Sequence, residues 1–315
     1  MKISWCFIVF LLGINGLFGQ EQESFVESET TLVQLSRQFL KDSLANKRVA
    51  AEADFTKQLT EVLQQKNSFS YPFSNLETVS VLYPSDSTFR IFTWQLYIDK
   101  NTYQYGGIIQ KQDASNSLFV LSDLSSEIAT YDMEHEVMEP ENWYGAIYFN
   151  LQEFPTAEGT KYLLFGFDGL EFFNRRKIAE VLSFDEAGQP SFGAPVFAEV
   201  VPGYEPTFKN RLYLEYSAEV AARLNYDPNL EMIILDNLIS MKSPYRGGGN
   251  VNIPDGSYVG YRLNNGTWEY VDKVFDLVSE RPPAPRRLFD EDNRKDILGN
   301  KARGKKRDKN LPMKN

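Results

Sequence analysis

The stretch YVGYRLNNGTWEYV, residues 258 to 271, decides the fold class. Its centre, Asn265-Gly266, is the strongest short signal for a two-residue turn between antiparallel strands, because both residue types accept the positive φ that this turn requires. The aromatic and β-branched residues on either side are typical of strands. The stretch therefore predicts a β-hairpin.

A second hairpin is predicted by residues 90–110, which read RIFTWQLYID, then KN, then TYQYGGIIQ. Apolar side chains fall on alternate positions of the first run (Phe92, Trp94, Leu96 and Ile98), and such alternation is typical of a half-buried strand. Asp99, Lys100 and Asn101 then supply turn residues. We expect the two runs to pair.

The stretch AEVAARLNYD, residues 218–227, is ambiguous between helix and strand. Its apolar residues lie strictly on alternate positions (Ala218, Val220, Ala222, Leu224 and Tyr226), which favours a half-buried strand. A turn at Asp227-Pro228-Asn229 and a further strand, LEMIILD, follow. Together these segments predict an antiparallel β domain over residues 75–278, either a sandwich or an irregular barrel.

Residues 28–66 have the spacing of helices. Apolar residues recur at steps of three and four in two runs (Leu32, Leu35, Phe39, Leu40 and Leu44, then Phe55, Leu59, Val62 and Leu63). Asn46-Lys47 is the predicted break between two helices. The predicted fold class is therefore α+β and mainly β, with an N-terminal helical segment before the β domain.

Residues 1–20 predict a secretory signal peptide. Lys2 precedes an apolar run from Ile3 to Leu12, and small or neutral residues lie at Gly19-Gln20, where we expect cleavage. A retained membrane anchor is the alternative, although a spanning helix needs about 20 apolar residues. Cys6, the only cysteine, would leave with the signal, so the mature chain would have no disulfide and no thiolate site. We expect an exported protein of the periplasm or cell surface, with no transmembrane segment in the mature chain.

Charge is divided unevenly along the chain. Residues 281–315 hold 12 Lys and Arg against 5 Asp and Glu, a net charge of +7. Since the whole chain has a net charge of −10, the remaining residues have a net charge of −17. With almost no apolar content, 281–315 predicts a disordered basic tail. It is a candidate contact for a protein or an anionic surface, and the alternative is a solvated tail. The acidic body argues against nucleic acid as a partner.

Several segments resemble a family of exported bacterial proteins of unknown activity. The resemblance covers roughly residues 78–276 and rests on NWYGAIYFNL (142–151), KYLLFGFDGL (161–170), SFGAPVF (191–197), LEYSAEVAARLNYD (214–227), MIILDNL (232–238) and DGSYVGYRL (255–263) with Trp268. It implies a shared architecture and a Gram-negative envelope setting. It brings no catalytic or binding residue with it.

The stretch FGFDGLEFFNRR, residues 165–176, places two carboxylates, Asp168 and Glu171, three residues apart. A glycosidase uses such a pair only when both face one cleft at a set separation. We interpret the stretch as a turn, in which Asp168 caps its own backbone and Gly169 supplies a positive φ. Arg175 and Arg176 are expected to be surface partners of Glu171.

His135 is the only histidine, so any histidine-based acid–base mechanism depends on it. The acids around it (Asp132, Glu134, Glu136, Glu139 and Glu141) predict a solvated acidic loop. No serine stands in a G-x-S-x-G setting. Zinc is disfavoured without further histidine or cysteine.

Calcium binding stays open as a minor alternative at two places. The carboxylates of residues 132–141 offer oxygen ligands, and Asp227-x-Asn229-x-Glu231 begins like a calcium loop. That loop has Met232 where a glycine is needed, and no glutamate follows at its twelfth position. The glycines at 247–249 lack the context of a phosphate loop and predict a flexible loop between strands.

No catalytic, cofactor-binding or metal-binding residue is predicted. Two functional hypotheses follow. The first is a non-enzymatic interaction or structural protein of the periplasm or cell surface, since no nucleophile–base constellation is visible. The alternative is a carboxylate-dependent hydrolase that acts on glycans, because carboxylates and tyrosines are the plentiful catalytic side chains.

Overall fold

The computed structural model describes residues 5–113, 115–127, 133–200, 203–243 and 249–275, with side chains from residue 23 onward. Helix α1 spans Trp5–Lys41 and helix α2 spans Ala45–Leu63. The strands are β1 (Ser80–Leu82), β2 (Phe89–Asp99), β3 (Thr102–Lys111), β4 (Leu118–Ser122), β5 (Ile147–Thr156), β6 (Gly159–Asp168), β7 (Asn174–Phe184), β8 (Pro190–Phe192), β9 (Phe197–Glu199), β10 (Thr207–Lys209), β11 (Arg211–Ser217), β12 (Leu224–Asp227), β13 (Met232–Lys242), β14 (Asn250–Asn264) and β15 (Thr267–Val271).

The described strands form three sheets. Sheet 1 has the order β1-β2-β3-β4, sheet 2 the order β11-β7-β6-β5 with β8 beside β7, and sheet 3 the order β10-β9-β15-β14-β13-β12. Neighbouring strands are antiparallel, apart from the parallel pair of β15 and β9. The predicted α+β, mainly β class is confirmed.

Three apolar cores join these elements into four layers. The helices cover one face of sheet 1, where Phe39 and Phe55 pack with Phe92 and Trp94. The opposite face of sheet 1 packs on sheet 2, and the far face of sheet 2 packs on sheet 3. Burying each large apolar side chain stabilises the fold by roughly 1.5–3 kcal/mol, so the helical segment is fastened to the β domain.

Both predicted hairpins are present. Asn265 has φ 48° and Gly266 has φ 84° between β14 and β15, as a primed two-residue turn requires. In the other hairpin, β2 pairs with β3, and Trp94 lies opposite Gly106. The Asn265-Gly266 turn signal and the alternating apolar pattern of residues 92–98 therefore each identified a strand pair correctly.

Two sequence-based boundaries were wrong. The break between the helices lies at residues 42–44 and not at Asn46-Lys47, because the side chain of Asp42 accepts the backbone N–H of Leu44 at 2.9 Å and ends α1. Residues 218–223 are a turn and an extended connection, so only the end of the predicted strand at 218–227 is a strand, β12. The connection carries the chain from β11 in sheet 2 to β12 in sheet 3, which a single strand cannot do.

Some predictions concern residues that are not described. The predicted basic tail at 281–315 and the calcium candidate Asp132 lie outside the described residues, as do Gly247 and Gly248. The backbone of the predicted signal segment belongs to α1 from Trp5 onward, and its cleavage stays a prediction. Among the described residues, no helix combines the length and the apolar content needed to cross a membrane.

Candidate functional site

A row of charged side chains crosses sheet 2 on the face that meets sheet 1. Asp168 on β6 is the register partner of Arg176 on β7, which is in turn the register partner of Glu215 on β11. Arg176 Nη2 contacts Glu215 Oε2 at 2.8 Å, and Arg176 Nη1 lies 3.9 Å from Asp168 Oδ2. The strand register therefore places three charges side by side in a largely apolar core.

Two tyrosines complete this arrangement. The Tyr105 hydroxyl donates to Asp168 Oδ1 at 2.9 Å, and the Tyr144 hydroxyl donates to Asp168 Oδ2 at 2.7 Å while accepting from Arg176 Nη1. Burial, together with the charge of Asp168, raises the pKa of both tyrosines well above the usual value. These five residues, Asp168, Tyr105, Tyr144, Arg176 and Glu215, are the Asp168 network.

The turn interpretation of residues 165–176 agrees with the structure in part. Asp168 Oδ1 accepts the backbone N–H of Leu170 at 2.7 Å, as a turn-capping carboxylate does. The positive φ lies at Leu170, at 48°, and not at Gly169. A Cβ at position 169 would lie 2.6 Å from Nε2 of Gln95, so a larger residue there would require the end of that side chain to shift.

The expected surface pairing of Glu171 with two arginines was wrong. Arg176 is only 6% exposed and belongs to the Asp168 network, because its register position points it into the core between sheets 1 and 2. Arg175 donates to backbone carbonyls of the turn, among them Gly169 at 2.9 Å. Glu171 accepts instead from Asn174 Nδ2 at 2.6 Å.

A second buried network lies deeper in the same interface. Arg211 on β11 and Glu180 on β7 are register partners, their side chains are 0% exposed, and they approach to 2.6 Å. The Tyr148 hydroxyl donates to Glu180 and accepts from Trp143 Nε1 at 2.7 Å. Burial, followed by the charge of Glu180, raises the pKa of Tyr148 well above the usual value. These four residues are the Glu180 network.

Arg90 on β2 is a buried cation that sequence reasoning did not identify. Its guanidinium donates to Gln110 Oε1 at 2.7 Å and to the carbonyls of Tyr71 and Ser68 at 2.7 and 2.8 Å. Four aromatic rings lie within 6 Å of it (Phe69, Phe73, Tyr83 and Phe92). It fastens the segment after α2 to sheet 1, with cation–π contacts in place of a carboxylate.

The acidic cavity is a space of about 240 Å³ between α2 and sheet 1. Glu52 and Thr56 of α2 line one side, Trp94 and Gln104 line the sheet, and Ser122 and Asp123 line the end of β4. The ring of Trp94 lies against Gly106, where a Cβ would come within 2.2 Å of it. This glycine therefore sets the position of the indole.

Both carboxylates of the acidic cavity accept hydrogen bonds from neutral donors. Glu52 Oε1 accepts from Trp94 Nε1 at 3.0 Å and from Thr56 Oγ1 at 2.9 Å. Asp123 accepts the backbone N–H groups of Tyr105 at 2.9 Å and Ser125 at 2.7 Å. Burial is the main reason that the pKa of Asp123 is raised to about 6. The nearby negative charge of Asp168 also raises this pKa, whereas the hydrogen bonds to Asp123 lower it.

Another cavity, of about 270 Å³, lies between sheets 2 and 3. Its walls include the aromatic rings of Phe154, Tyr226 and Trp268, and its polar residues include both Glu231 and the cation Arg262. Unlike the acidic cavity, it therefore combines charges of both signs.

The remaining sequence candidates do not converge on one place. His135 is exposed, and its neighbour Glu134 pairs with Lys209 at 3.2 Å. Asp227 pairs with Arg223 at 2.7 Å and caps the backbone N–H of Asn229 at 3.0 Å, as a turn residue. In the part of the chain that the structure describes, no group of three or more His, Cys, Asp or Glu is arranged to hold a metal ion.

Comparison of the chain with protein-family models, with curated proteins and with solved structures finds no match. The candidate site therefore rests on geometry alone. Sequence reasoning missed Glu52 and Asp123, because one lies on a helix and the other follows a strand far along the chain. They line the same cavity only because of the way in which α2 packs on sheet 1.

Proposed function

We propose that this chain is an exported, non-enzymatic interaction protein of the periplasm or cell surface. The observation that carries the proposal is that the buried charged groups are paired with one another or with tyrosine hydroxyls. Asp168 is bound by two tyrosines beside Arg176, and Glu180 is bound by Arg211 and Tyr148. These ionisable groups join strands and layers, which is a structural use of side chains that an enzyme would direct toward a substrate.

Export is supported by the sequence. Residues 1–20 have the basic start, apolar run and small residues of a secretory signal, and the resemblance to exported envelope proteins points the same way. Lack of cysteine beyond residue 20 means that stability in an oxidising compartment rests on the three apolar cores. The partner that we expect is a protein with an anionic surface, contacted by the basic residues of 281–315.

The test is crosslinking in the native host with identification by mass spectrometry. Full-length protein is compared with a version that ends at Glu280, and cell fractionation with N-terminal sequencing of the recovered protein is run in parallel. We expect a processed N-terminus near Gly19, an envelope fraction and a partner that is recovered only with the full-length chain. A cytoplasmic, unprocessed protein would overturn export. Equal capture by both versions would remove the role of 281–315.

The carboxylate-dependent hydrolase remains a second candidate because of one observation. Glu52 and Asp123 line the same cavity, and the pKa of Asp123 is raised to about 6, in the range of a general acid. A panel of glycans incubated with the full chain and with Glu52→Gln tests this candidate. Release of sugar by the first and not by the second would replace the interaction proposal with a hydrolase.

A further inference from the structure

We propose that the acidic cavity binds a small organic cation, an amine in its ammonium form. The proposal rests on the non-enzymatic function proposed above, since it takes Glu52 and Asp123 as ligand-binding groups. It adds the chemical class of ligand, which neither the sequence nor the partner experiment supplies.

Charge is the first reason. Two carboxylates line the acidic cavity, and none of its described lining residues is a lysine or arginine. No described lysine or arginine forms an ion pair with Glu52 or Asp123 either. Their hydrogen bonds come from an indole, a hydroxyl and two backbone N–H groups, all of which are neutral. The acidic cavity therefore carries negative charge that no cation of the described residues balances.

Unused hydrogen-bonding capacity is the second reason. An ionised carboxylate offers about four acceptor positions. Within the described residues, Glu52 accepts two hydrogen bonds, both at Oε1, and each oxygen of Asp123 accepts one backbone N–H group. An ammonium group has donors and no acceptor, so it fits the remaining positions of both side chains. An anion meets like charge in this cavity, and a neutral molecule leaves the charges unpaired.

Size and wall chemistry select an organic cation over a metal ion. A volume of about 240 Å³ is far larger than one ion needs, and Ca²⁺ takes about 6–8 oxygen ligands, more than two carboxylates provide. Leu96 and Val120 supply an apolar surface for the carbon chain of an amine, beside the aromatic Trp94. Aromatic groups also attract ammonium groups.

The second cavity gives a comparison within the same molecule. Its lining holds two carboxylates, Glu153 and Glu231, and one cation, Arg262, so its net negative charge is smaller than that of the acidic cavity, which has two carboxylates and no cation. The proposal therefore predicts tighter ammonium binding at the acidic cavity than at the space between sheets 2 and 3. This distinguishes a specific site from general attraction of cations to an acidic protein.

Isothermal titration of the full chain at pH 7.5 with n-butylamine, putrescine and choline tests the proposal, with n-butanol as the neutral probe. We expect the amines to bind and n-butanol not to bind. Glu52→Gln and Asp123→Asn are each expected to weaken amine binding at least about tenfold, as loss of one charged partner does. Asp54→Asn, an exposed carboxylate on the same helix, is the control and should stay within about twofold.

The outcomes separate the proposals. Equal binding of n-butylamine and n-butanol, or no binding of any amine, would overturn the ammonium site. Both results come from the unmodified chain, so they do not depend on how a variant folds. Equal amine affinity of Glu52→Gln and Asp54→Asn would also overturn it. Partner capture that persists without amine binding leaves the interaction function standing and removes only the ligand.

Discussion

Asp168 and Arg176 lie directly opposite each other on β6 and β7, with 3.9 Å between Oδ2 and Nη1, and the Tyr144 hydroxyl bonds to both. The tyrosine therefore acts as a bridge between a carboxylate and a guanidinium that do not make a close ion pair. With Tyr105 on the other carboxylate oxygen, the charge of Asp168 is stabilised by hydrogen bonds that come from sheet 1 and from the segment before β5. The Asp168 network thus fastens the layers to each other.

Tyr144→Phe tests this bridge. Removing the hydroxyl leaves Asp168 and Arg176 each short of one hydrogen bond in a buried setting, and bonds to charged groups contribute about 1.5–3 kcal/mol. We expect the free energy of unfolding in urea to fall by about 2–3 kcal/mol. Tyr103→Phe is the control, because the Tyr103 hydroxyl makes no hydrogen bond within the described residues, and it should change stability by less than about 0.5 kcal/mol. Equal effects of the two variants would contradict the bridging role.

A double-mutant cycle on the Glu180 network makes the second prediction. Arg211→Met alone leaves a carboxylate that is 0% exposed without its cation, and breaking a buried pair costs about 3–5 kcal/mol. Glu180→Gln alone leaves the guanidinium unpaired, with a comparable loss. The double variant removes both charges, so its loss should fall short of the sum of the single losses by at least about 1 kcal/mol. Additive losses, measured by urea unfolding, would show that the pair is not coupled.

Structural features that depend on neighbouring residues in the sequence could be predicted, whereas features that depend on contacts between distant segments could not. Asn265-Gly266 and the alternation in residues 92–98 are local, and both hairpins are where they were expected. The connection at 218–223 was not predictable, because alternation of apolar residues says nothing about which sheet a segment joins. The layer order likewise depends on contacts between segments far apart in sequence.

The buried charges could not be predicted for a related reason. Arg176 and Glu180 share a strand face with Ile178 and Leu182, so that face alternates between polar and apolar and would be read as partly solvated. Their partners on β11 are specified only by the register of β7 against β11. The acidic cavity is harder still to predict, since Glu52 and Asp123 line one cavity only after α2 has docked on sheet 1.

Gly106→Ala makes the third prediction. A Cβ at this position would lie 2.2 Å from Trp94 Cε2, so the indole must move and disturb its hydrogen bond to Glu52. Forcing extra volume into a packed site costs about 1–3 kcal/mol. In a Trp94→Phe background the smaller ring leaves room for the methyl group, so the loss caused by Gly106→Ala should shrink by about 1 kcal/mol or more. An unchanged loss in that background would exclude the indole contact as its cause.

The pH dependence of stability reports on Asp123. Its folded-state pKa is raised to about 6, whereas the unfolded chain has the ordinary value near 3.9, so between these values the folded state binds more protons than the unfolded state. Stability from this group is therefore fully present below about pH 4 and is lost as pH rises through 6. At about 1.4 kcal/mol for each pKa unit, the loss approaches about 3 kcal/mol.

Unfolding of the wild type and of Asp123→Asn at a series of pH values isolates this contribution, because groups that titrate in both proteins cancel in the difference. We expect the wild type to lose stability relative to the variant between about pH 4 and about pH 7, with the steepest change near pH 5, midway between the two pKa values. Carboxyl-carbon NMR of Asp123 should show the same midpoint, near 6. A difference that stays flat over this range, with a midpoint near 4, would mean that the carboxylate is well solvated. The pKa of Asp123 would then no longer distinguish this carboxylate from the exposed carboxylates of the surface.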